Sequence, residues 1–485
     1  MKHNNIPLIE ALLEYNKKNM LRFHTPGHKG GKGAEKTIKD IFGKNVFLYD
    51  LTEVDGLDDL HNPKAAIMKA QELLSEVYGS DRSFFLVNGA TTGVEAMLMA
   101  AAGPGEEVVI DRNCHYSAIN GLILNGATPV YMMPEIDKRT GLVLGPSRHT
   151  LIQTLKKHPG AKALFIVSPT YFGICYDLKS ISDIVHEHNI PLIVDEAHGP
   201  HLGFHPDFAV SAMQAGADAC CQSPHKILGS FTQSSWLHVK GNMIDLERLK
   251  KALQVLQSSS PSYLLMASLD SARFFVSSRG RREFDRIISM VRDARVRINN
   301  ITGLFSPQIM IGDFTIAVPD YTKLTVNVRD SGLNGKRVAY ILRNEYKIQP
   351  EFADRDNLLF IITCGDNPNK IEALIDALKS IARMNKTVES TNKADWVYPA
   401  PKVEIIPRDA FFAHKRRVEL KKAAGLISAE TVAPYPPGVP LLAPGERITP
   451  EIVELILQME ENGIQFHGPE DTRLETIKTV EESLQ

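Results

Sequence analysis

The chain has 485 residues, which is room for about three domains of ordinary size. Its 55 basic and 57 acidic residues give a net charge of −2, which argues against a nucleic-acid partner because phosphate binding needs a concentrated basic surface. With 43% hydrophobic and 23% charged residues the composition is typical of a folded globular protein. No apolar run approaches the roughly 18 residues of a membrane span, and no signal peptide is indicated. Five cysteines without paired spacing favour reduced thiols in the cytoplasm.

The first 60 residues indicate an N-terminal arm with one amphipathic helix followed by loops. Over residues 61–304, short apolar runs alternate with mostly helical patterns, which predicts an α/β domain with a mainly parallel seven-stranded sheet covered on both faces. Ligands of such sheets bind at the carboxyl ends of the strands. The predicted strands are 83–87, 107–110, 129–133, 163–167, 191–194, 217–221 and 235–239.

Two smaller units are predicted beyond the large one. Residues 305–385 read as a small α/β domain, with strands at 323–328 and 357–362 and helices at 335–346 and 370–383. A polar segment, 386–401, ends in prolines and indicates a linker. The C-terminal domain, 402–485, is predicted to be α+β. It contains five prolines between 434 and 444, which exclude a helix there, and a helix starts near Pro450.

A lysine just after a predicted strand is the first candidate catalytic residue. Lys226 closes the sequence Ser223-Pro224-His225-Lys226, which follows strand 217–221. A lysine that forms a Schiff base needs desolvation or positive neighbours to be nucleophilic near neutral pH. An ordinary surface lysine is the competing interpretation when this motif is taken alone.

Asp195 ends the strand 191–194 and is the second candidate. Its carboxylate could pair with the protonated pyridine nitrogen of pyridoxal phosphate (PLP), the partner that makes PLP an electron sink. A helix N-cap is the structural alternative. Lys226 follows 31 residues later, with one strand between, so the two side chains can converge at one end of the sheet.

Two further turns follow predicted strands. Asn88–Gly93, rich in small residues, leads into a helix whose N-terminal N–H groups could bind a phosphate, although it matches neither common phosphate-binding glycine motif. His115 follows the next strand, and its imidazole could stack on a flat cofactor ring or be an ordinary core histidine. His198, His201 and His205 look like metal ligands, but Gly199, Pro200 and Gly203 break any helix between them, so no metal site is predicted.

Six motifs in order resemble the PLP-dependent Orn/Lys/Arg decarboxylases, which have the aspartate-aminotransferase (fold type I) architecture. The resemblance runs from about residue 6 to about residue 475 and is closest to the short, Bacillus-type biosynthetic arginine decarboxylases. The motifs are HTPGHKGG (24–31), DLTEVDGLDDLH (50–61), DRNCHYS (111–117), VDEAHG (194–199), SPHKILGSFTQ (223–233) and YPPGVPLLAPGE (435–446).

This resemblance implies roles around the cofactor ring. Lys226 would carry PLP as a Schiff base, and Asp195 would pair with the pyridinium nitrogen. His115 would stack on the ring face opposite Ala197. His198 stands where some family members have a tryptophan, beside the ring hydroxyl and the substrate.

The resemblance also implies which residues bind the cofactor phosphate. Ala90, Thr91, Ser223 and His225 would contact it from the same chain. Ser258, or a close neighbour in QSSSPSY, would reach it from a second subunit. The family therefore implies a homodimer at least.

The implied reaction removes the α-carboxylate of a basic amino acid. The resemblance favours the conversion of L-arginine to agmatine and CO2, a step in polyamine synthesis. Asp195 would keep the ring nitrogen protonated, and Lys226 or His225 would return a proton to Cα. Glu430, ahead of the YPPG motif, is the first candidate to bind the distal cation of the substrate. Asp55, Asp58 and Asp59 are alternatives for that role.

Three other functions stay open on the sequence alone. The substrate could be lysine or ornithine. The chain could be a catalytically silent PLP-fold protein that binds or regulates a partner, although such a protein need not keep Lys226, Asp195 and His115. An aminotransferase would need an arginine on the small domain for the α-carboxylate, and Arg355 and Arg383 are there without a recognisable motif.

Overall fold

The computed structural model describes residues 5–307, 320–384, 400–435, 439–461 and 463–481. The predicted linker, 386–401, falls almost wholly outside this range, as do Pro436, Pro437 and Gly438 of the YPPG motif. The domain boundaries proposed from the sequence therefore stay predictions. None of the helices within the described ranges is long and apolar enough to cross a membrane.

The N-terminal 60 residues contain three helices, so the expectation of one helix followed by loops is wrong. The helices are α1 (Pro7–Lys17), α2 (Lys36–Phe42) and α3 (Lys44–Tyr49). The amphipathic α1 buries Leu8 and Leu12. The other two helices are one to two turns long and largely exposed, so they leave no apolar periodicity for a sequence pattern to detect.

The large unit alternates strands and helices over its whole length. Its core sheet contains β1 (Arg82–Leu86), β2 (Glu107–Asp111), β3 (Thr128–Met132), β6 (Ala163–Val167), β7 (Leu192–Asp195), β8 (Ala219–Gln222) and β9 (Ser235–Val239), with the small hairpin β4 (Glu135–Ile136) and β5 (Val143–Gly145) beside it. The helices are α4 (Ala66–Tyr78), α5 (Gly89–Ala101), α6 (Tyr116–Asn125), α7 (Arg148–Lys157), α8 (Leu178–Glu187), α9 (Ala212–Ala215), α10 (Pro224–Ile227), α11 (Leu246–Leu256) and α12 (Tyr263–Asn299).

The sheet has the order β1-β9-β8-β7-β6-β2-β3, and all strands except β9 point the same way. This confirms the predicted mainly parallel, seven-stranded sheet. Strands β7, β8 and β9 are buried along their whole length because helices cover both faces, which explains their continuous apolar runs. Separate cores with Val94 and Leu122 on one face and Leu151 and Ile181 on the other hold these helices in place.

The small unit is a three-stranded antiparallel sheet backed by two helices. Its elements are β10 (Lys323–Asn327), α13 (Gly335–Glu345), β11 (Phe352–Ala353), β12 (Asn357–Ile361) and α14 (Pro368–Met384), in the sheet order β10-β12-β11. The 37-residue helix α12 joins this unit to the large one and shares a hydrophobic core with both. The segment 349–351 before β11 lies next to the large sheet, where the hydroxyl of Tyr171, beyond the end of β6, donates to Glu351.

The C-terminal segment mixes helices with short strand pairs, as predicted. Its elements are α15 (Pro407–Phe412), β13 (Lys415–Glu419), β14 (Ala433–Tyr435), α16 (Pro450–Glu461), β15 (Gln465–His467) and β16 (Thr476–Val480), with β13 paired to β16 and β14 to β15. The buried Arg112, just after β2, donates to both carboxylate oxygens of Glu446, at 2.5 and 2.9 Å. This ion pair joins the PGE motif of the C-terminal segment to the carboxyl end of β2 in the large sheet.

Candidate active site

Lys226 lies at the carboxyl end of the sheet, in the one-turn helix α10 that follows β8. Its Nζ is 2.9 Å from His198 Nε2. Desolvation outweighs the attraction of Asp195, and the positive charge of Lys323 adds to it, so the pKa of Lys226 falls to about 8. About a tenth of this amine is therefore neutral at pH 7. The neutral amine is the form that condenses with a carbonyl group.

Asp195 ends the neighbouring strand β7 and is 5% exposed. Its Oδ1 accepts the backbone N–H of Ala197 at 3.0 Å. Burial raises the pKa of Asp195, while Lys226 and the Ala197 hydrogen bond act against that rise. Because β7 and β8 pair in parallel, the structure brings Asp195 and Lys226 to the same end of the sheet, as their spacing predicts.

Glu196 supports this arrangement and was not identified from the sequence. It is fully buried, and its carboxylate accepts the Ala212 N–H and the Gln222 side-chain amide, each at 2.7 Å. Burial raises the pKa of Glu196 to about 8. The residue ties the turn after β7 to α9 and β8, which fixes the backbone that presents Asp195. An acidic residue at the end of a continuous apolar run is the only signal for it in the sequence.

Two neutral imidazoles lie close to the lysine. His115 caps α6, and its Nδ1 accepts the Ser117 N–H; burial, Lys226 and His467 lower the pKa of His115 to about 4. Burial, followed by Lys226, holds the pKa of His198 well below its usual value. Among the described residues His198 Nδ1 is buried without a hydrogen-bond partner. Uncharged flat rings with an unused polar atom suit contact with an aromatic cofactor that bears a hydroxyl.

The predicted phosphate residues also gather at this end of the sheet. Ala90 and Thr91 lie in the first turn of α5, where backbone N–H groups have no helical partner. Ser223 is buried, with its Oγ 3.4 Å from Ser235 Oγ. His225 Nδ1 donates to the Ser234 carbonyl at 2.9 Å.

Ser258 is exposed and lies against the same turn of its own chain. Its N–H donates to Asn88 Oδ1 at 3.2 Å, and its carbonyl is 2.8 Å from His61 Nε2. A single chain therefore places Ser258 at the rim of the phosphate turn.

Glu430 lies within the C-terminal segment. One oxygen accepts the Glu470 N–H at 2.9 Å and the other accepts the Lys478 N–H at 2.8 Å. Among the alternatives, Asp58 accepts backbone N–H groups around the start of α4, including Ala65 at 2.7 Å and Ile67 at 3.0 Å. Within one chain, these two carboxylates therefore bind backbone.

The three histidines with metal-like spacing each take a different partner. His198 contacts Lys226, His201 contacts Asp320 at 2.8 Å, and His205 contacts Asp285 at 2.9 Å. No group of three or more potential metal ligands occurs within the described ranges.

A cavity of about 580 Å³ opens between the large, small and C-terminal parts of the chain, and Tyr171 in its wall contacts His198. Two of its lining residues, Tyr171 and Glu351, were not identified from the sequence. The Tyr171 ring meets the His198 ring edge-on at 5.2 Å, and its hydroxyl donates to Glu351 Oε1 at 2.9 Å. Tyr171 in the cavity wall thus contacts His198, which in turn contacts the amine of Lys226.

The buried groups fit PLP. A lysine with a lowered pKa can carry the cofactor aldehyde, the buried Asp195 carboxylate can pair with a pyridinium nitrogen, and the first turn of α5 offers N–H groups to a phosphate. Together with the sheet order, these features define a PLP enzyme of fold type I.

Comparison with known proteins agrees with this class. Residues 6–311 match the major domain of the Orn/Lys/Arg decarboxylases, and residues 391–476 match their C-terminal domain. The chain is 38% identical to an arginine decarboxylase from Bacillus subtilis (strain 168), over 99% of both chains. It therefore belongs to the Orn/Lys/Arg decarboxylase family, and it is a PLP-dependent decarboxylase.

Solved structures place the fold in the same group. A lysine decarboxylase from Francisella novicida superposes with a TM-score of 0.85 at 25% identity, covering 99% of this chain and 82% of that one. An alanine–glyoxylate aminotransferase from Nostoc shares the fold more loosely, with a TM-score of 0.53 at 20% identity, covering 65% of this chain and 86% of that one. These matches confirm the predicted aspartate-aminotransferase-like architecture.

The two arginines considered for an aminotransferase lie in different settings. Arg355 lines the cavity and donates to both carboxylate oxygens of Asp356, at 3.1 and 3.0 Å. Arg383 is exposed in the last turn of α14. The charge of Arg355 is thus already paired with a carboxylate.

Proposed function

We propose that this protein converts L-arginine to agmatine and CO2, a step that supplies polyamine synthesis. The observation that carries the proposal is the partly buried Lys226 amine, held by His198 and facing Asp195 across adjacent strand ends. The full-length similarity to an arginine decarboxylase supports arginine as the substrate.

PLP, when bound, supplies the electron sink for the pair left by the departing carboxylate. In this proposal Asp195 keeps the cofactor nitrogen protonated, because a buried carboxylate stabilises a positive charge placed beside it. His115 would stack on one face of the cofactor ring, and Ala197 would bound the other. The imidazoles of His115 and His198 are both neutral. They would therefore exclude water from the cofactor ring without repelling its protonated nitrogen.

Lys226 is the better candidate to protonate Cα. Burial lowers the pKa of His225, so its neutral ring keeps one proton, on the Nδ1 that donates to the Ser234 carbonyl. With a pKa of about 8, Lys226 is mostly an ammonium at pH 7 and can donate a proton. His225 would then line the phosphate site with Ala90, Thr91 and Ser223, and it would donate to the phosphate through a second proton on Nε2, which the negative charge of the phosphate favours.

We also propose a homodimer with a shared site, in which Ser258 reaches the phosphate of the second subunit. Exposed apolar side chains in the N-terminal arm support a partner, since Leu21 is 81% and Phe23 93% exposed in one chain. Five free cysteines fit a cytoplasmic location. The division into an arm (1–60), large (61–304), small (305–385), linker (386–401) and C-terminal (402–485) parts belongs to the same proposal.

The test is to purify the enzyme with PLP and supply arginine, lysine and ornithine separately. We expect CO2 and agmatine from arginine, with little product from the other two. Cadaverine or putrescine as the main product would reassign the substrate to lysine or ornithine. No CO2 from any of the three would overturn the choice of a basic amino acid.

A further inference from the structure

The carboxylates that line the cavity differ in how much of their binding capacity is already used. Asp356 pairs with Arg329 and Arg355, and Asp354 accepts the backbone N–H groups of Asp356 and Asn357. Glu351 accepts one hydroxyl hydrogen bond, from Tyr171, and is exposed to the cavity. It is the lining carboxylate with most capacity left for a cation.

The negative charge of Glu351 also influences the pKa of the reactive amine of Lys226. Its charge raises the pKa of Lys226, against the larger desolvation that lowers it, so the two groups are within Coulomb range. The contacts run from Lys226 to His198, from His198 to Tyr171, and from Tyr171 to Glu351. A substrate joined at the lysine end with its side chain in the cavity would bring its far end towards Glu351.

The cavity suits the rest of a long cationic side chain. Phe172 and Phe352 pack edge to face at 5.6 Å, and both line the cavity. Apolar rings of this kind can cover the methylene groups of an arginine or lysine. A volume of about 580 Å³ is within the usual range for a small-molecule site.

Building on the proposed function, we propose that Glu351, oriented by Tyr171, binds the distal cation of the basic substrate. Carboxylates are the natural partners of guanidinium and ammonium groups in a partly desolvated site. This role differs from that of Glu430, whose two oxygens accept backbone N–H groups.

The test measures binding of the product, agmatine, to the PLP-loaded enzyme by calorimetry, beside pentylamine, which lacks the guanidinium. Glu351→Gln should weaken agmatine binding about 10- to 100-fold and leave pentylamine unchanged. Tyr171→Phe should weaken agmatine less, since it removes only the group that orients Glu351. In turnover, KM for arginine should rise more than kcat falls.

Glu345→Gln is the matched control, because Glu345 is an exposed glutamate in the same small unit, at the end of α13. It should bind agmatine as the unmodified enzyme does. Unchanged agmatine binding in Glu351→Gln would overturn the proposal, and a loss in Glu430→Gln instead would give the role to Glu430. If the unmodified enzyme prefers lysine, cadaverine replaces agmatine, so an error in the substrate is separate from an error in Glu351.

Discussion

Two lysines lie near one another at the junction of the large and small units, and their surroundings differ. Lys323, in β10, is fully buried and its amine hydrogen-bonds Thr322 at 3.0 Å and approaches Asp320 at 3.4 Å. Lys226 is only partly buried, and its hydrogen-bond partner is the imidazole of His198. Lys323 therefore has a carboxylate partner, whereas Lys226 has a neutral one.

The difference shows how one fold makes a structural lysine and a reactive lysine. Asp320 also binds His201, and although burial favours its protonation, His201 and Lys323 hold the pKa of Asp320 well below its usual value. The ionised Asp320 thus compensates Lys323. The positive charge of Lys323 adds to the desolvation that lowers the pKa of Lys226. Asp195 attracts the Lys226 ammonium without a hydrogen bond, so the pKa of Lys226 still falls.

Replacing the reactive lysine should remove activity and leave the fold intact. We expect Lys226→Ala to lower kcat by roughly 10⁴-fold or more, because it removes both the attachment point of the cofactor and the proposed proton donor. Thermal unfolding should change little, since no ion pair with a carboxylate is lost. A rate of CO2 release within tenfold of the unmodified enzyme would contradict the assignment.

Replacing the structural lysine should have the opposite outcome. Lys323→Met leaves Asp320 buried with one cation fewer, which should cost about 3–5 kcal/mol of unfolding free energy. Urea unfolding followed by circular dichroism measures this loss. The double variant Lys323→Met/Asp320→Asn removes both charges and should recover part of it. A stability equal to the unmodified protein in Lys323→Met would show that the ion pair contributes nothing.

Much of the large sheet could be predicted because its strands are continuous apolar runs, and strands β6 and β9 have the predicted bounds. Helix starts were less accurate. α5 begins at Gly89, inside the turn 88–93 that was predicted to precede it, because small residues carry no helical pattern. α4 begins at Ala66, where the carboxylate of Asp58 accepts backbone N–H groups from a position that no local pattern indicates.

The site residues likewise fall into those that strand prediction locates and those that it does not. Asp195, His115 and Lys226 follow strands directly, so strand prediction places them at one end of the sheet. Tyr171 and Glu351 lie in loops of different units, and their contact depends on how the small unit packs. No local pattern in the sequence encodes such a contact between residues 180 positions apart.

The last and smallest effect concerns the pH at which Lys226 becomes nucleophilic. Because its pKa is about 8, the rate at which cofactor-free enzyme recaptures added PLP should rise with pH and level off above about pH 8. The neutral amine is the reacting form, so a higher pKa moves the curve to higher pH and a lower pKa moves it to lower pH. Stopped-flow absorbance of the bound cofactor follows the rate.

Two neighbours should shift this curve in opposite directions. The positive Lys323 lowers the pKa of Lys226 and the negative Glu351 raises it, so Lys323→Met should move the midpoint to higher pH and Glu351→Gln to lower pH, each by a few tenths of a pH unit. Glu345→Gln should leave it in place. A midpoint that does not move in either variant would mean that desolvation alone lowers the pKa of Lys226. The charged neighbours would then not account for the contrast between the two lysines.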